Sequence, residues 1–377
     1  MTLELPFDPT RLEREPESAT RARHDTFVWR PRKRRTIRHA DFRLDPDLAA
    51  LPPVGERANR FDREYVEPPV HVTRIDDGVL FGQGFLLCSA GRPTISAERV
   101  YCRSCGELRK RLPELRRRAA DPDTVYLAGA HGGWRNFYHW LLECVTSAVL
   151  LERIASRTDR PYRLVLPPLA PHQSRTLELA GIPMRRCITL NANECLRDVP
   201  LLYTDALNGR FSLRPSPELI GLLDPLRERA RAAASDPMPS RFYVSRRDTS
   251  ARRLVNEDEL VAALEKEGYR ELVLSELSIE RQVAAFAGAD RVVAPHGAGL
   301  AHLMFAPPGC RVLEILPENH RFAFFFRLAQ VRGLRYSMVL ARGVSGGRPT
   351  GEHGAVRVDV DRVLRELESS TRSPYAA

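Results

Sequence analysis

The feature that most constrains this chain is a double series of short apolar runs alternating with amphipathic stretches. In the first series "TVYLAG" (124–129), "YRLVLP" (162–167), "RCITL" (186–190) and "DVPLLY" (198–203) read as buried strands. Residues 136–154 and 172–181 read as helices between them, the first capped by Asn136 and the second stopped by Gly181. Short β segments with glycine turns precede them at 71–91. The second series places strands at "RFYVSR", "ELVL", "RVVAP", "RVLEIL" (311–316) and "YSMVLA". Its helices are 256–268, with Asn256 as cap and Glu259 three residues on, then 278–288 behind Ser278, and "RFAFFFRLAQVRG". Parallel strands need helical crossovers, so this alternation predicts α/β architecture with mostly parallel sheets. The stretch 214–240 contains a helix and ends in a Pro/Ser-rich break, which splits the chain in two. Four parts are expected: an Arg/Pro-rich, partly disordered arm at 1–60, an α/β lobe at 61–215, a second at 216–345, and a tail with a closing helix at 346–377. Two such lobes in series would leave a cleft between them, with ligands at the carboxyl ends of strands.

Composition removes several classes. The 377 residues suit two domains, and 43% hydrophobic with 28% charged residues rules out disorder throughout. No apolar run reaches the ~18 residues of a membrane span. The opening "MTLELPFDPTRLEREPESATRARHD" has no apolar signal core, so a cytoplasmic, soluble protein is expected. The net charge is +10, carried by 55 arginines against three lysines, Lys33, Lys110 and Lys266. That bias reads first as a compositional habit. A basic surface for a polyanionic substrate, or for peripheral contact with the inner face of an anionic membrane, is the alternative. The run "RPRKRR" (30–35) carries the same two readings, with a solvated arm preferred. The seven cysteines form no framework, and Cys102 and Cys105 make a lone C-x-x-C, which is short of a zinc site. Nucleic-acid binding is disfavoured because the arginines are scattered without interleaved aromatics.

The chemistry gathers at strand ends. In "VVAPHGAGLAHLMFAPPG" (292–309), Pro295, His296, Gly297, Ala298 and Gly299 stand where a strand hands over to a helix. Backbone N–H groups and a helix dipole there favour an anion, and the glycines would let the backbone approach a phosphate. Tight helix packing is the alternative reading of those glycines. "YVSRRDTSARRLVNEDE" (243–259) crowds Ser245, Arg246, Arg247, Arg252 and Arg253 at another strand end, a set suited to a diphosphate. Glu314, near the end of "VLEILP", is placed to accept ribose hydroxyls. Together these describe a nucleotide-diphosphate site, and the absence of G-x-G-x-x-G argues against a dehydrogenase. In the other lobe "HGGWRNFYHWLLE" (131–143) sets His139 and Glu143 four apart on one helix face. That spacing gives either a general base with a carboxylate behind it or a structurally satisfied histidine. His131, Trp134, Arg135 and Asn136 would line the cleft, with Trp134 offering a flat face to a sugar ring. There is no H-E-x-x-H, so a zincin is excluded.

"NFYHWLLE", "YVSRRDTSARRLVNEDEL" and "VVAPHGAGLAHLMFAPPGCRVLEILP" resemble glycosyltransferase family 61, once known as a domain of unknown function in capsular polysaccharide proteins. The resemblance covers roughly residues 70–340. It implies two Rossmann-like lobes facing a cleft, the GT-B type, and an inverting glycosyltransferase. It also implies a nucleotide-sugar donor, most often a UDP-sugar, in the second lobe and a glycan or surface-polysaccharide acceptor. Carried over residue by residue, the donor site is Ser245, Arg246, Arg247, His296, Gly297, Ala298, Gly299 and Glu314. The catalytic candidate is His139, with Glu143 beside it. From their loop position, not from the resemblance, His131, Trp134, Arg135 and Asn136 are read as the acceptor side. No D-x-D lies between the lobes and the arginines could stabilise the leaving diphosphate, so no cofactor or metal is expected. Two rivals remain open: an inactive polyanion- or polysaccharide-binding envelope protein, and a nucleotide-dependent hydrolase or phosphorylase.

Overall fold

A computed structural model of the chain describes residues 13–14, 25–28, 36–38, 41–51, 61–67, 69–82, 87–89, 92–93, 112–208, 214–344 and 354–371. The basic run 30–35 and the C-x-x-C at Cys102 and Cys105 lie outside them. The chain divides into two compact units, Met1–Arg35 with Val66–Leu226, and Thr36–Tyr65 with Arg227–Ala377. The division thus falls after Leu226 rather than at 215/216. The short helix Pro217–Gly221, capped by Ser216, packs against the helix Thr146–Ala155 and so stays with the first unit. The described parts of residues 1–60 belong to both units. Asp25–Val28 pairs with His71–Phe81 in the first, and Phe42–Arg43 pairs with Arg335–Gly343 in the second. The closing helix Val360–Thr371 sets Val363 into the core cluster of the second unit, against helix Glu257–Lys266.

The first unit is built on a mixed sheet. Its centre is parallel: Val125–Ala128 lies between Tyr162–Leu166 and Glu194–Thr204, with Cys187–Thr189 beyond. His71–Phe81 adds antiparallel to the long strand Glu194–Thr204. From Val125–Ala128 the chain proceeds outward one way, and Glu194–Thr204 returns on the other side. The point of reversal therefore lies beside the carboxyl end of Val125–Ala128, where open α/β sheets bind ligands. The helix expected over 136–154 forms with one change. Phe137–His139 and Thr146–Ala155 are α-helical, but Trp140–Val145 between them is a fully buried π turn. Such turns are rare and cluster at functional sites.

The second unit is a parallel sheet in the order Arg270–Leu272, Arg241–Val244, Arg291–Pro295, Arg311–Pro317, Arg335–Gly343, with Val356–Arg357 antiparallel at one side. Its reversal point falls between Arg241–Val244 and Arg291–Pro295. The carboxyl ends of these two neighbours carry Ser245–Arg247 and His296–Gly299. The segment after Gly297 is a 3₁₀ helix, Ala298–Phe305, rather than the expected α-helix. Asn256 precedes helix Glu257–Lys266 but makes no side-chain cap. Its amide instead pairs with both backbone groups of Val358, Nδ2 to the carbonyl at 2.9 Å and Oδ1 from the N–H at 3.2 Å. That double bond ties the start of the helix to the closing segment.

Candidate active site

The π turn drives Glu143 into the core, where it is wholly buried. A carboxylate so placed needs donors; His139 supplies one, and the His131 ring approaches the same oxygen. His139 Nδ1 lies 2.9 Å and His131 Nε2 2.7 Å from the same oxygen, Oε2. Burial pushes the Glu143 pKa up, but the charge and hydrogen bonds of His131 and His139 outweigh it and bring it down to about 2. Glu143 is thus an anion at neutral pH, and an ionised carboxylate only accepts. His139 Nδ1, which makes the hydrogen bond, therefore carries a proton. For His139 this leaves the lone pair on Nε2, the form a general base requires. His131 is fixed from behind as well, since the Gly133 N–H donates to its Nδ1 at 3.0 Å. Burial pulls the His131 pKa down while Cys144 and Glu143 raise it to about 10.

The expected acceptor residues lie at the start of this helix in different states. His131 is buried and turned toward Glu143, so it lines the carboxylate rather than an open surface. Asn136 is the cap, its Oδ1 accepting from the Tyr138 N–H at 3.0 Å. Such a cap contributes about 1 kcal/mol. Trp134 is half-buried, and the Arg135 guanidinium stands 4.6 Å over its ring, so one face is already covered by a cation. Gln173 holds the Trp134 carbonyl at 3.0 Å.

In the second unit the two loops meet. Arg246 Nη1 donates to the His296 carbonyl at 3.2 Å, and Nη2 to the Ala251 carbonyl at 2.5 Å. Gly297 has an extended backbone, so its requirement is space. A Cβ there would stand 2.0 Å from Arg246 Nη1. A Cβ at Gly299 would meet Leu274 Cδ1 at 2.9 Å. These glycines admit an arginine and a leucine side chain, where the sequence suggested a phosphate. Burial and the neighbouring Arg252 push the Arg246 pKa down to about 10, which keeps it cationic at neutral pH. Buried Glu257 organises the loop through Oε1, which accepts from Tyr243 Oη (2.9 Å), Ser245 Oγ (3.0 Å) and the Arg246 N–H (2.8 Å). Arg247 turns to Glu271 and Asp258. A cavity of about 480 Å³ opens beside them, lined by Arg246, Arg247, Thr249, Ser250, Arg253 and Leu254 among others.

Glu314 is placed differently from the ribose acceptor the sequence suggested. It is wholly buried, Oε1 bonds His296 Nδ1 and Oε2 accepts from Tyr336 Oη, both at 2.5 Å. Burial, then Glu314, raise the Tyr336 pKa far above its ordinary value, so the hydroxyl keeps its proton. Both carboxylate oxygens are thus engaged in orienting neighbours. Sequence reasoning missed Tyr336, Glu257 and the aromatic cluster around His296. There His320 and Phe325 lie 5.1 and 4.9 Å away, and Phe322 stacks on Phe324. The run "HRFAFFF" was the visible signal, but it read only as a helix start.

Part of the chain is similar to known proteins. Residues 137–313 match the family model described as Glycosyltransferase 61, the family the sequence resembles. The match takes in His139, Glu143 and both loops of the second unit. His131, Trp134, Arg135 and Asn136 precede it, and Glu314 follows it by one residue. Among relatives, the EGF domain-specific O-linked N-acetylglucosamine transferase of Drosophila melanogaster is 33% identical over 29% of this chain and 22% of its own length. The Beta-1,2-xylosyltransferase XYXT1 of Oryza sativa subsp. japonica is 41% identical over 21% of this chain and 17% of its own. The Protein O-linked-mannose beta-1,4-N-acetylglucosaminyltransferase 2 of Takifugu rubripes is 36% identical over 24% and 16%. The chain therefore spans about a fifth of each relative it matches. No helix among the described residues is long and apolar enough to cross a membrane.

Proposed function

We propose that the chain is an inverting glycosyltransferase of the GT-B type that moves a sugar from a nucleotide-diphosphate donor, a UDP-sugar, to a hydroxyl of a glycan or surface polysaccharide. The observation that carries this is the meeting of Arg246 with the His296–Gly299 loop at the reversal point of a parallel sheet, within the span that matches the family. His139 Nε2 takes the proton of the acceptor hydroxyl, and that oxygen bonds the anomeric carbon from the face opposite the diphosphate. The bond from that carbon to the diphosphate breaks, and both electrons leave with the nucleoside diphosphate. Arg246, Arg253 and the amides that open the 3₁₀ helix stabilise the growing charge. His296, oriented by Glu314 and Tyr336, donates to the diphosphate or a donor hydroxyl.

Metal independence belongs to the same proposal. His131, His139 and Glu143 offer ligand atoms within 4.8 Å of one another, a cluster that could hold a cation. A histidine ligand must present a lone pair. His131 presents Nε2–H, because Nδ1 accepts from Gly133. Of the three D-x-D runs, at Asp45/Asp47, Asp121/Asp123 and Asp359/Asp361, the first is engaged by Arg362, Arg342 and the Leu340 N–H. Site of action at the inner face of the cytoplasmic membrane remains part of this reading, on the strength of the +10 charge. Calorimetric titration with UDP, GDP and their sugars, with and without EDTA, tests it beside Arg246→Ala. UDP binding that survives EDTA and is lost in the variant is the expected result. No nucleotide binding by the wild type would overturn it in favour of a polymer-binding protein.

A further inference from the structure

The loop with the arginines of the second unit joins strand Arg241–Val244 to helix Glu257–Lys266. A loop has no ladder to hold its backbone, so its shape depends on ties to other segments. At its start Glu257 Oε1 accepts from Ser245 Oγ and from the Arg246 N–H. At its end Arg252 lies at φ 53°, in the left-handed region. A residue with a side chain stays there only where its surroundings hold it. The residues that follow are held by the closing segment. The Val356 N–H donates to the Arg253 carbonyl at 2.8 Å, and the Val356 carbonyl accepts from the Val255 N–H at 2.8 Å. The Asn256 amide completes the tie with its two bonds to Val358. Leu254 and Val356 are buried in one core cluster, while Arg253 between these ties and Arg252 is exposed.

We propose that the closing segment Val356–Val358, with Asn256 as its link, is a positioning element of the donor site that sets the shape of the arginine loop. The role deepens the transferase proposal and rests on its donor site. Val356 is itself anchored in the sheet, where it pairs antiparallel with Gly343. Arg246 depends on the same end of the loop, because its Nη2 donates to the Ala251 carbonyl at 2.5 Å. Ala251 and Arg253 flank the left-handed residue. Releasing the tie lets Arg252 leave that conformation, and its two neighbours turn with it. Arg246 then loses a carbonyl that aims it, and Arg253 loses the backbone that presents it. The coupling runs both ways. A diphosphate held by Arg246 and Arg253 orders the loop and so tightens the closing segment.

The test is calorimetric titration of UDP into wild type, Asn256→Ala and Val363→Ala, beside urea unfolding and amide hydrogen exchange. Asn256→Ala loses both bonds to Val358 and should weaken UDP binding about tenfold with unchanged stoichiometry. A change that only destabilised the fold would lower the number of competent chains and leave the affinity of each as it was. Val363, in the closing helix, lends its side chain to the same core cluster. Val363→Ala should lower the unfolding midpoint at least as far as Asn256→Ala, yet keep UDP affinity within about twofold. In wild type, UDP should slow exchange at the Val255, Val356 and Val358 amides more than in helix Ile279–Ala287 of the same unit. Equal affinity in Asn256→Ala and wild type would overturn the role, as would affinity that falls in step with stability in both variants. If Asn256→Ala does not fold, the wild-type exchange decides, and unchanged rates at Val356 and Val358 overturn the role. Wild type that binds no UDP would overturn the donor reading and this role with it, whereas a failure confined to the variants leaves the donor reading intact.

Discussion

Each unit holds a histidine against a buried glutamate beside the reversal point of its sheet, yet the two arrangements differ in what the glutamate serves. In the first, one Glu143 oxygen gathers two imidazoles, and the helix start that carries His139 leaves that ring 15% exposed. In the second, Glu314 sits inside a strand and divides its two oxygens between His296 and Tyr336, with the His296 ring only 4% exposed. A glutamate inside a strand fixes its partners in the core. A glutamate on a π turn supports a ring that still reaches solvent. The first arrangement suits proton transfer and the second suits holding a loop in place.

The largest test of this contrast exchanges the two histidines in turn for alanine. His139→Ala should lower turnover by roughly 10²–10⁴ with UDP affinity unchanged. His296→Ala should weaken UDP binding first. Single-turnover kinetics beside calorimetry separate the two effects. Turnover close to wild type in His139→Ala would remove the base from this site and dissolve the contrast.

A second test uses acid. The folded Glu143 pKa of about 2 lies below the ordinary 4.5, so its contribution to stability is present above pH 4.5 and is lost as pH falls toward 2. The difference corresponds to about 3 kcal/mol. His302 has its own window. It is stacked on Phe286, and burial lowers its pKa to about 4. Its neutral form is favoured above 6.5, and that stability is lost between 6.5 and 4. Urea unfolding of wild type and Glu143→Gln across this range should therefore give curves that run parallel above pH 4.5 and converge below it. Curves parallel throughout would mean that the carboxylate is not held ionised by the two imidazoles.

The order of strands and helices was legible because burial on both sides of a parallel sheet writes continuous apolar runs such as "VYLA" and "RVVAP". The positions of Ser245–Arg247 and His296–Gly299 followed, since strand ends are where such sheets bind ligands. What spacing could not reach was the destination of each side chain. Asn256 has the form of a cap, yet its amide reaches Val358, 102 residues away. Glu314 lies in the middle of Arg311–Pro317 rather than near its end, and the Tyr336 that occupies it comes from the neighbouring strand. His131 looked like an open loop residue until the π turn brought Glu143 under it. Each of these depends on a partner distant in sequence, and periodicity carries no record of that.

The smallest expected effect is also the sharpest on the second unit, because it separates two uses of one glycine. If Gly297 exists to bring backbone close to a phosphate, Gly297→Ala should obstruct the ligand and leave Arg246 in place. The structure puts the new Cβ 2.0 Å from Arg246 Nη1 instead, against a side chain held by the His296 and Ala251 carbonyls. The guanidinium must then swing away and give up at least its bond to His296. UDP affinity should fall about tenfold, near 1.4 kcal/mol, with the unfolding midpoint little changed. Arg246→Ala combined with Gly297→Ala should be no weaker than Arg246→Ala alone, because the glycine acts through the arginine. An additive double variant would return the glycine to the phosphate and leave Arg246 with a separate role.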